Sequence, residues 1–554
     1  MTTNSLSPWK RFVGLIQLER KDTFQIAYFA IFEGLVALSL PLGIQAIINL
    51  LQGAQVSASW VVLVFLVTLG VAFSGTLKLM QLRIIETIQQ RIFTRASFEL
   101  SYRFPKIKMK ELEHYYLPEL ANRFFDTLTI QKGLSKILID VPSAFLQIVF
   151  ALFLLSFYHP FFIIFGILLI LLVYIVFKFT AQRGIDTSLQ ESKNKYKVVH
   201  WLQEVARSVI SFKLSGKTNL ALQKNDELVK EYLNSRESHF KILVLQFIQM
   251  ISFKVLVTAG LLLIGGYLVL DQKMNIGQFV AAEIIVILVI SSVEKLILGL
   301  ESFYDVLTSI EKLGQVTDKS IENQKGEIIE EELHISIENV TYKAHTRNEP
   351  ILNDVSFEIN QKDRILIEGK SVSSKASFLR LIPGLIEPTS GSVHVNNLSI
   401  DSLNIKDYRS KLGISFLNET PFEGTLRENI TLNDPNISDK EIYEIFEVVG
   451  LVDFLKLQPN GLNTVIEPEG RQVAYSINKK IILARAIAKK PKLLILEDPV
   501  YQLKTKEVER IVNYITDPIR PWGLIVVSND STWKEKCSKH LCLDNGNLKI
   551  NSYA

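Results

Sequence analysis

Gly369 and Lys375 follow the apolar run RILIE, in the stretch GKSVSSKASFLRLI. Their separation is that of a phosphate-binding loop, G-x-x-x-x-G-K-[ST], which follows a strand, opens a helix and turns backbone N–H groups on phosphate oxygens. Glu368, just ahead of it, adds an anion where an anion would bind. A second group of reactive side chains lies inside long apolar stretches: Glu33, Lys254, Glu283, Glu294 and Lys295. Charge in a bilayer is costly and faces a cavity or a partner. Glu294 and Lys295 read as bundle-interior or membrane-surface groups, whereas Glu33, Lys254 and Glu283 are candidates for a substrate path. His114, His200 and His345 lack metal-ligand spacing. Cys537 and Cys542 read as free thiols, so no metal centre is expected.

Two kinds of segment must position these groups. The chain has 554 residues, 48% hydrophobic and only 21% charged, with a mean hydropathy of +0.22. An ordinary soluble chain carries about 25% charged residues. A formal net charge of +4 is too small to mark a nucleic-acid-binding protein, and two cysteines cannot make a disulfide framework. Nearly all the excess hydrophobicity precedes residue 300. Six stretches there, about 26–50, 60–82, 139–158, 160–179, 243–270 and 279–300, match the roughly 20 apolar residues a bilayer-spanning helix needs. FFIIFGILLILLVYIVF is apolar on every face, which a soluble core rarely tolerates. Pro41 should kink the first span.

No cleavable signal is evident at the N-terminus, where Lys10, Arg11, Arg20 and Lys21 precede the first span. The connections 83–136 and 183–241 are rich in Lys and Arg, and the others are nearly free of them, so both termini are expected on the cytoplasmic side. A bacterial inner membrane is the simplest compartment. The two basic connections are almost free of Pro and Gly, and 83–112 and 188–214 read as membrane helices running on for several turns. Short polar turns between them, near 117–119 and 216–219, are placed to touch another domain.

After a charged connector, 312–332, the texture changes to short β-like runs: HISIENVTY, VSFEI, RILIEG, GSVHV, LGISFL, LLILED, LIVVSN and HLCLDNGNL. Helical segments separate the later ones, an α/β pattern with a partly parallel sheet. Domains are therefore expected at 1–311 and 333–554.

The loop at 369–377, with PTSGSVHVNN, GTLREN, LARA and LLILED downstream and SLPLGIQAIINL in the first span, resembles a bacterial ABC exporter half-transporter. The likeness is to type I secretion and bacteriocin exporters, without an N-terminal peptidase domain. It implies six transmembrane helices of the type I exporter kind and an α/β P-loop-type nucleotide-binding domain. It also implies ATP and Mg²⁺ as cofactors, a homodimer or a heterodimer with another half-transporter, a periplasmic adaptor among the partners, and no nucleic acid.

Carried over position by position, the family's site is altered throughout. The nucleotide loop maps onto Gly369, Ser371, Ser373, Lys375, Ala376 and Ser377. Val372 and Ser374 replace glycines whose φ > 0 conformations suit an anion nest, and Ala376 replaces the hydroxyl that binds Mg²⁺. The Walker B pair appears as Glu497 then Asp498, in reverse order, and a 1 Å misplacement can cost about 10²-fold in rate. The Q-loop glutamine maps onto Leu417 and the switch histidine onto Asn529. The signature maps onto Val473, Ala474, Tyr475, Ser476 and Ile477, so Tyr475 puts a ring where a glycine lets a helix N-terminus approach phosphate. The distal loop is Tyr501–Leu503 and Lys504. The adenine-stacking aromatic maps onto Ala344, with Tyr342 two residues off register. Nucleotide binding is accordingly expected to be weak or absent, as is hydrolysis. In a dimer whose sites combine one subunit's Walker motifs with the other's signature, both sites would be damaged even beside a competent partner. The expected function is a pseudo-ATPase scaffold, regulatory or conduit subunit of an export system. The alternative is an active ATP-driven exporter of peptide, protein or lipid-like substrates.

Overall fold

The structure, a computed structural model, describes residues 7–52, 58–113, 115–329, 332–345 and 347–551. His114 lies outside them. The chain forms two compact units, Met1–Pro105 with His114–Lys319 and Lys106–Glu113 with Ser320–Ala554.

The first unit is helical. Its elements are α1 (Pro8–Leu18), α2 (Arg20–Ala37), α3 (Ser39–Gln52), α4 (Ala58–Arg103), α5 (Leu117–Asn122) and α6 (Asp126–Ser156). They are followed by α7 (Phe161–Arg207), α8 (Val209–Leu214), α9 (Leu220–Gly260), α10 (Gly266–Leu270) and α11 (Ile276–Thr317). Among the described residues six helical segments are long and apolar enough to cross a membrane: Arg20–Gln52, Ala58–Lys106, Leu117–Ser156, Phe161–Arg207, Leu220–Leu270 and Ile276–Thr317. The first is broken at Leu38, and Pro41 then sits in the first turn of α3, where a missing N–H costs least. α4 has 46 residues and α7 has 47, more than twice what a bilayer requires.

The helical extensions are interrupted where the sequence reading ran them on. α4 ends at Arg103, ahead of Pro105, and α7 breaks at Ser208 before the short α8. The turn expected near 117–119 is instead α5, with Pro118 in its first turn. α11 continues through the beginning of the stretch read as a connector. Small residues let the helices meet closely: a Cβ on Gly133 would strike Val306, and one on Gly184 would strike the Tyr304 ring. Gln246 donates to Thr180 Oγ1 at 2.8 Å and to the Tyr304 hydroxyl at 2.9 Å, joining α7, α9 and α11.

The second unit is α/β. β1 (His334–Tyr342), β2 (Leu352–Asn360), β4 (Ser390–Val395) and β5 (Leu398–Ser399) form an antiparallel sheet in the order β2-β1-β4-β5. β3 (Arg364–Glu368), β6 (Leu412–Ser415), β9 (Leu493–Glu497), β10 (Gly523–Val527), β11 (Lys539–Asp544) and β12 (Asn547–Asn551) form the second sheet, in the order β12-β11-β3-β10-β9-β6. All its pairings are parallel except β11–β12. β7 (Gly424–Thr425) and β8 (Val465–Ile466) pair separately. The helices are α12 (Val372–Leu381), α13 (Ile405–Ser410), α14 (Leu426–Thr431), α15 (Asp439–Val449), α16 (Val452–Lys456), α17 (Tyr475–Ala488) and α18 (Thr505–Ile515).

The parallel strands read as unbroken apolar runs because both faces are covered. Along β9, Leu494 and Leu496 enter one core and Leu493 and Ile495 the other. The run HLCLDNGNL, read as one strand, is a hairpin. Asn545 and Gly546 take positive φ (47° and 80°), the backbone of a two-residue turn that matches strand twist.

Candidate functional site

The carboxyl ends of β3, β6, β9 and β10 lie side by side, the place where open α/β sheets bind ligands. Gly369, directly after β3, has φ +138°, and a Cβ there would strike the Leu543 carbonyl, so only glycine fits. The following turn departs from the sequence expectation. Val372 is not forced into a left-handed conformation: it is the first residue of α12, right-handed and 65% exposed, with Ser371 as N-cap. The Ser371 hydroxyl accepts from Ser374 N–H at 3.3 Å and shares a 2.7 Å bond with the Ser374 hydroxyl, which donates to the Ile351 carbonyl at 2.9 Å. The serine that replaces a glycine thus anchors the loop to the segment entering β2. Ser373 lies 3.5 Å from Arg347. Lys375 is buried, and its ammonium donates back to the Gly369 carbonyl at 2.8 Å. Ala376 has no side-chain oxygen, and Ser377 beside it is buried. Glu368 does not bring an unbalanced anion to the loop, because Lys534 pairs with it at 3.0 Å.

At the end of β9 the two carboxylates diverge. Glu497 is buried, and its Oε2 accepts the Leu417 backbone N–H at 3.0 Å. Asp498, at φ +44°, accepts from the Ser528 hydroxyl and the Asn529 N–H. Burial pushes its carboxyl above the ordinary value; the Lys375 charge opposes this and the Glu497 charge adds to it. Asn529 is brought to the site by its backbone, and its side chain is exposed. Leu417 contributes its peptide groups only, having no side-chain polar atom.

Ala474 is the N-cap of α17 without a side-chain hydrogen bond, Tyr475 opens the helix, and Ser476 follows half-buried. The Tyr475 ring lies 5.3 Å from the Lys479 ammonium. Burial raises its hydroxyl's pKa, with Tyr501 and Asp498 adding. Lys479 escaped the sequence reading. It is buried on α17, and its ammonium donates to the carbonyls of Phe416, at 3.3 Å, and Leu417. The signal was present: two lysines, Lys479 and Lys480, interrupt the run INKKIILARA and are both buried. Lys480 is accounted for by Glu507 at 2.7 Å.

Tyr342 and Ala344 do not join this cluster. They line a cleft of about 700 Å³ with Lys108, Ile321, Arg347 and Glu387, and residues 369–377 lie outside it. In the helical unit, Glu33 is 5% exposed and pairs with Lys78 at 3.3 Å, a partner the sequence reading did not name. Glu283 is half-buried on α11 and Lys254 is exposed on α9, so the three candidate path residues are not gathered into one ion-pair cluster. His200 pairs with Glu119 at 3.2 Å and His345 with Glu113 at 3.6 Å.

Two protein families match in tandem: the ABC transporter transmembrane region over residues 24–293 and the ABC transporter domain over 352–501. A putative export ATP-binding/permease protein of Rickettsia bellii is 24% identical over 370 residues, 66% of this chain and 62% of its own length. The alpha-hemolysin translocation ATP-binding protein of Escherichia coli O157:H7 is 25% identical over 303 residues, 54% of this chain and 43% of its own length. The leukotoxin translocation ATP-binding protein of Mannheimia haemolytica is 24% identical over 351 residues, 62% of this chain and 49% of its own length. The chain thus spans less than two thirds of each of these relatives. A solved bacterial Atm1-family ABC exporter with ATP bound superposes with a TM-score of 0.82 at 16% identity, over 96% of this chain and 95% of that one.

Proposed function

This chain is an ABC transporter half, a multi-pass transmembrane region fused to an ABC domain in the type I exporter fold, and we propose that it is a pseudo-ATPase subunit of an export system. The ABC domain implies a site for ATP with Mg²⁺. The observation that carries the proposal is that the groups which would turn on a nucleotide already bond one another. Lys375 is on the Gly369 carbonyl, Ser371 and Ser374 are on each other, and Glu497 is on the Leu417 N–H. Mg²⁺ demands near-octahedral oxygen ligands. Ala376 and Leu417 offer no side-chain oxygen and Glu497 has one engaged, so this donor set does not fit the metal. Phosphoryl transfer depends almost wholly on positioning and electrostatics, which is why these changes weigh more than the retained lysine.

In this reading the protein binds Mg·ATP weakly or not at all. It sits in a bacterial inner membrane with its basic connections and both termini cytoplasmic, and it pairs with itself or with a second half-transporter. Glu33, Lys254 and Glu283 are the substrate-path candidates of this reading, with Glu33 already holding a counter-charge in Lys78, and a periplasmic adaptor is the partner that the likeness to secretion exporters implies. A second reading, an active exporter of peptide, protein or lipid-like cargo, is favoured by the Lys375 charge still acting on Asp498. ATP turnover by the reconstituted protein, measured against a Lys375→Ala variant, separates the two. The proposal expects equal, background rates, and turnover above the variant would overturn it.

A further inference from the structure

Lys479 is 5% and Glu497 6% exposed. A buried charge is costly unless it is paired and hydrogen-bonded, yet these two reach each other through the backbone. Phe416 C=O and Leu417 N–H belong to one peptide unit. Its oxygen accepts from the Lys479 ammonium at 3.3 Å, and its N–H donates to Glu497 Oε2 at 3.0 Å. In a trans peptide the oxygen and hydrogen point to opposite sides, so the peptide dipole lies between cation and anion with its negative end on the lysine. The Leu417 carbonyl gives Lys479 a second acceptor. Burial lowers the lysine's pKa, and the carboxylates of Glu419 and Glu497 oppose that. Three elements meet here: α17 brings the cation, β9 the anion, and the turn after β6 the peptide.

We propose that Lys479 is a positioning residue, an internal counter-ion to Glu497 that acts through the 416–417 peptide and locks the turn after β6 to α17 and β9 without any ligand. The inference rests on the pseudo-ATPase reading for its role: a turn fixed from within does not respond to nucleotide. It gives Glu497 a task other than catalysis and supplies, from the chain itself, the positive charge that this carboxylate needs.

The test is hydrogen exchange of the Leu417 amide in the purified full chain, for Lys479→Met, Glu497→Gln and the double variant. Each single substitution should speed exchange by about tenfold or more. The double variant should exchange no faster than the faster single one, because removing both charges leaves neither stranded. Lys480→Met, which strips a buried lysine of the same helix from Glu507, should leave the Leu417 amide unchanged. Should Lys479→Met not fold, Lys479→Gln takes its place. Additive effects of the two substitutions, or Leu417 exchange in the Lys479 variant equal to the native protein's, would overturn the lock. Mg·ATP should not alter Leu417 exchange in the native chain. ATP turnover with non-additive substitutions would sink the pseudo-ATPase reading and leave the lock standing. Additive substitutions in an inactive protein would do the reverse.

Discussion

Asp498 pays for a place between a buried strand end and a lysine. Its pKa is raised by burial, so the folded protein holds that proton more firmly than the unfolded chain does. Stability is therefore lost as pH rises from the ordinary carboxyl range through the raised folded value, and the loss is complete above that value. Asp498→Asn keeps an acceptor for Ser528 and Asn529 and suits φ +44°, which asparagine tolerates. The variant should melt a few degrees higher than the native chain at pH 7. The gap should close as pH falls below the ordinary aspartate range, and a thermal series in one detergent checks both parts. A gap that widens in acid would contradict the sign. At this scale the sequence was only half legible. Gly369 and Lys375 could be placed from spacing, because loop geometry is local. Val372 could not: whether valine is strained or merely opens a helix depends on Ser371 capping it and Ser374 reaching Ile351. Lys479 was hidden because its acceptors lie 62 and 63 residues away in the chain.

Among elements, β6 carries more than its four residues would indicate. It is the edge strand of the six-stranded sheet, paired only with β9 there, and the turn it feeds presents Leu417 to Glu497. Gly413 lets it lie close: a Cβ would stand 2.5 Å from the Ala486 carbonyl and 2.7 Å from Pro491 and Leu494. Gly413→Ala should cost roughly 1–3 kcal/mol, the usual price of overpacking a filled site. Exchange of the Leu417 amide should quicken with it, because the strand that aims the turn is pushed off β9. A variant with native stability and native exchange would show that β6 adjusts freely. Strand existence was readable because these runs are apolar and β-branched, as in LLILE and GLIVV. The hairpin of β11 and β12 was legible and was passed over: Asn545-Gly546 is a turn signal, and the apolar alternation changes phase across it, from Leu541 and Leu543 to Leu548 and Ile550. The membrane helices were readable from apolar length alone. Of their breaks at Arg103 and Ser208, the first was marked by Pro105, ahead of which a helix normally ends, and was passed over, whereas Ser208 carries no such mark.

For the whole molecule, the proposed inactivity raises the question of whether the altered loop residues would be its cause or the consequence of a chain that no longer needs the site. In the dimer proposed above, a nucleotide would have to be held first by this chain's loop and then closed on by the α17 of the other half. Restoring Val372→Gly, Ser374→Gly and Ala376→Ser rebuilds an anion nest and a metal-binding hydroxyl, and removes the Ser374 bonds that tie the loop to Ser371 and Ile351. These groups act on bound nucleotide before reaction, so the triple variant should recover Mg·ATP binding, tightening it by about tenfold or more on the scale of 1.4 kcal/mol per decade, while turnover stays at background. Hydrolysis should need more: Glu497→Asp with Asp498→Glu, and Tyr475→Gly so that α17 can approach phosphate. That exchange carries its own strain. Position 498 has φ +44°, where a glutamate is less at ease than an aspartate, at a cost on the order of 1–2 kcal/mol for a left-handed residue. Exchanging Glu497 for the shorter aspartate also withdraws the carboxylate from the Leu417 N–H and moves one of the two carboxylates that act on Lys479, leaving Glu419 in place. The gains should consequently be strongly non-additive, with the six substitutions together doing what no subset does. Calorimetry with Mg·ATP and phosphate release, run on the triple and the sixfold variant in the same bilayer, measure the two steps separately. If binding and turnover return together in the triple variant, the reversed carboxylates and Tyr475 are tolerated, and erosion of the loop alone silences the domain.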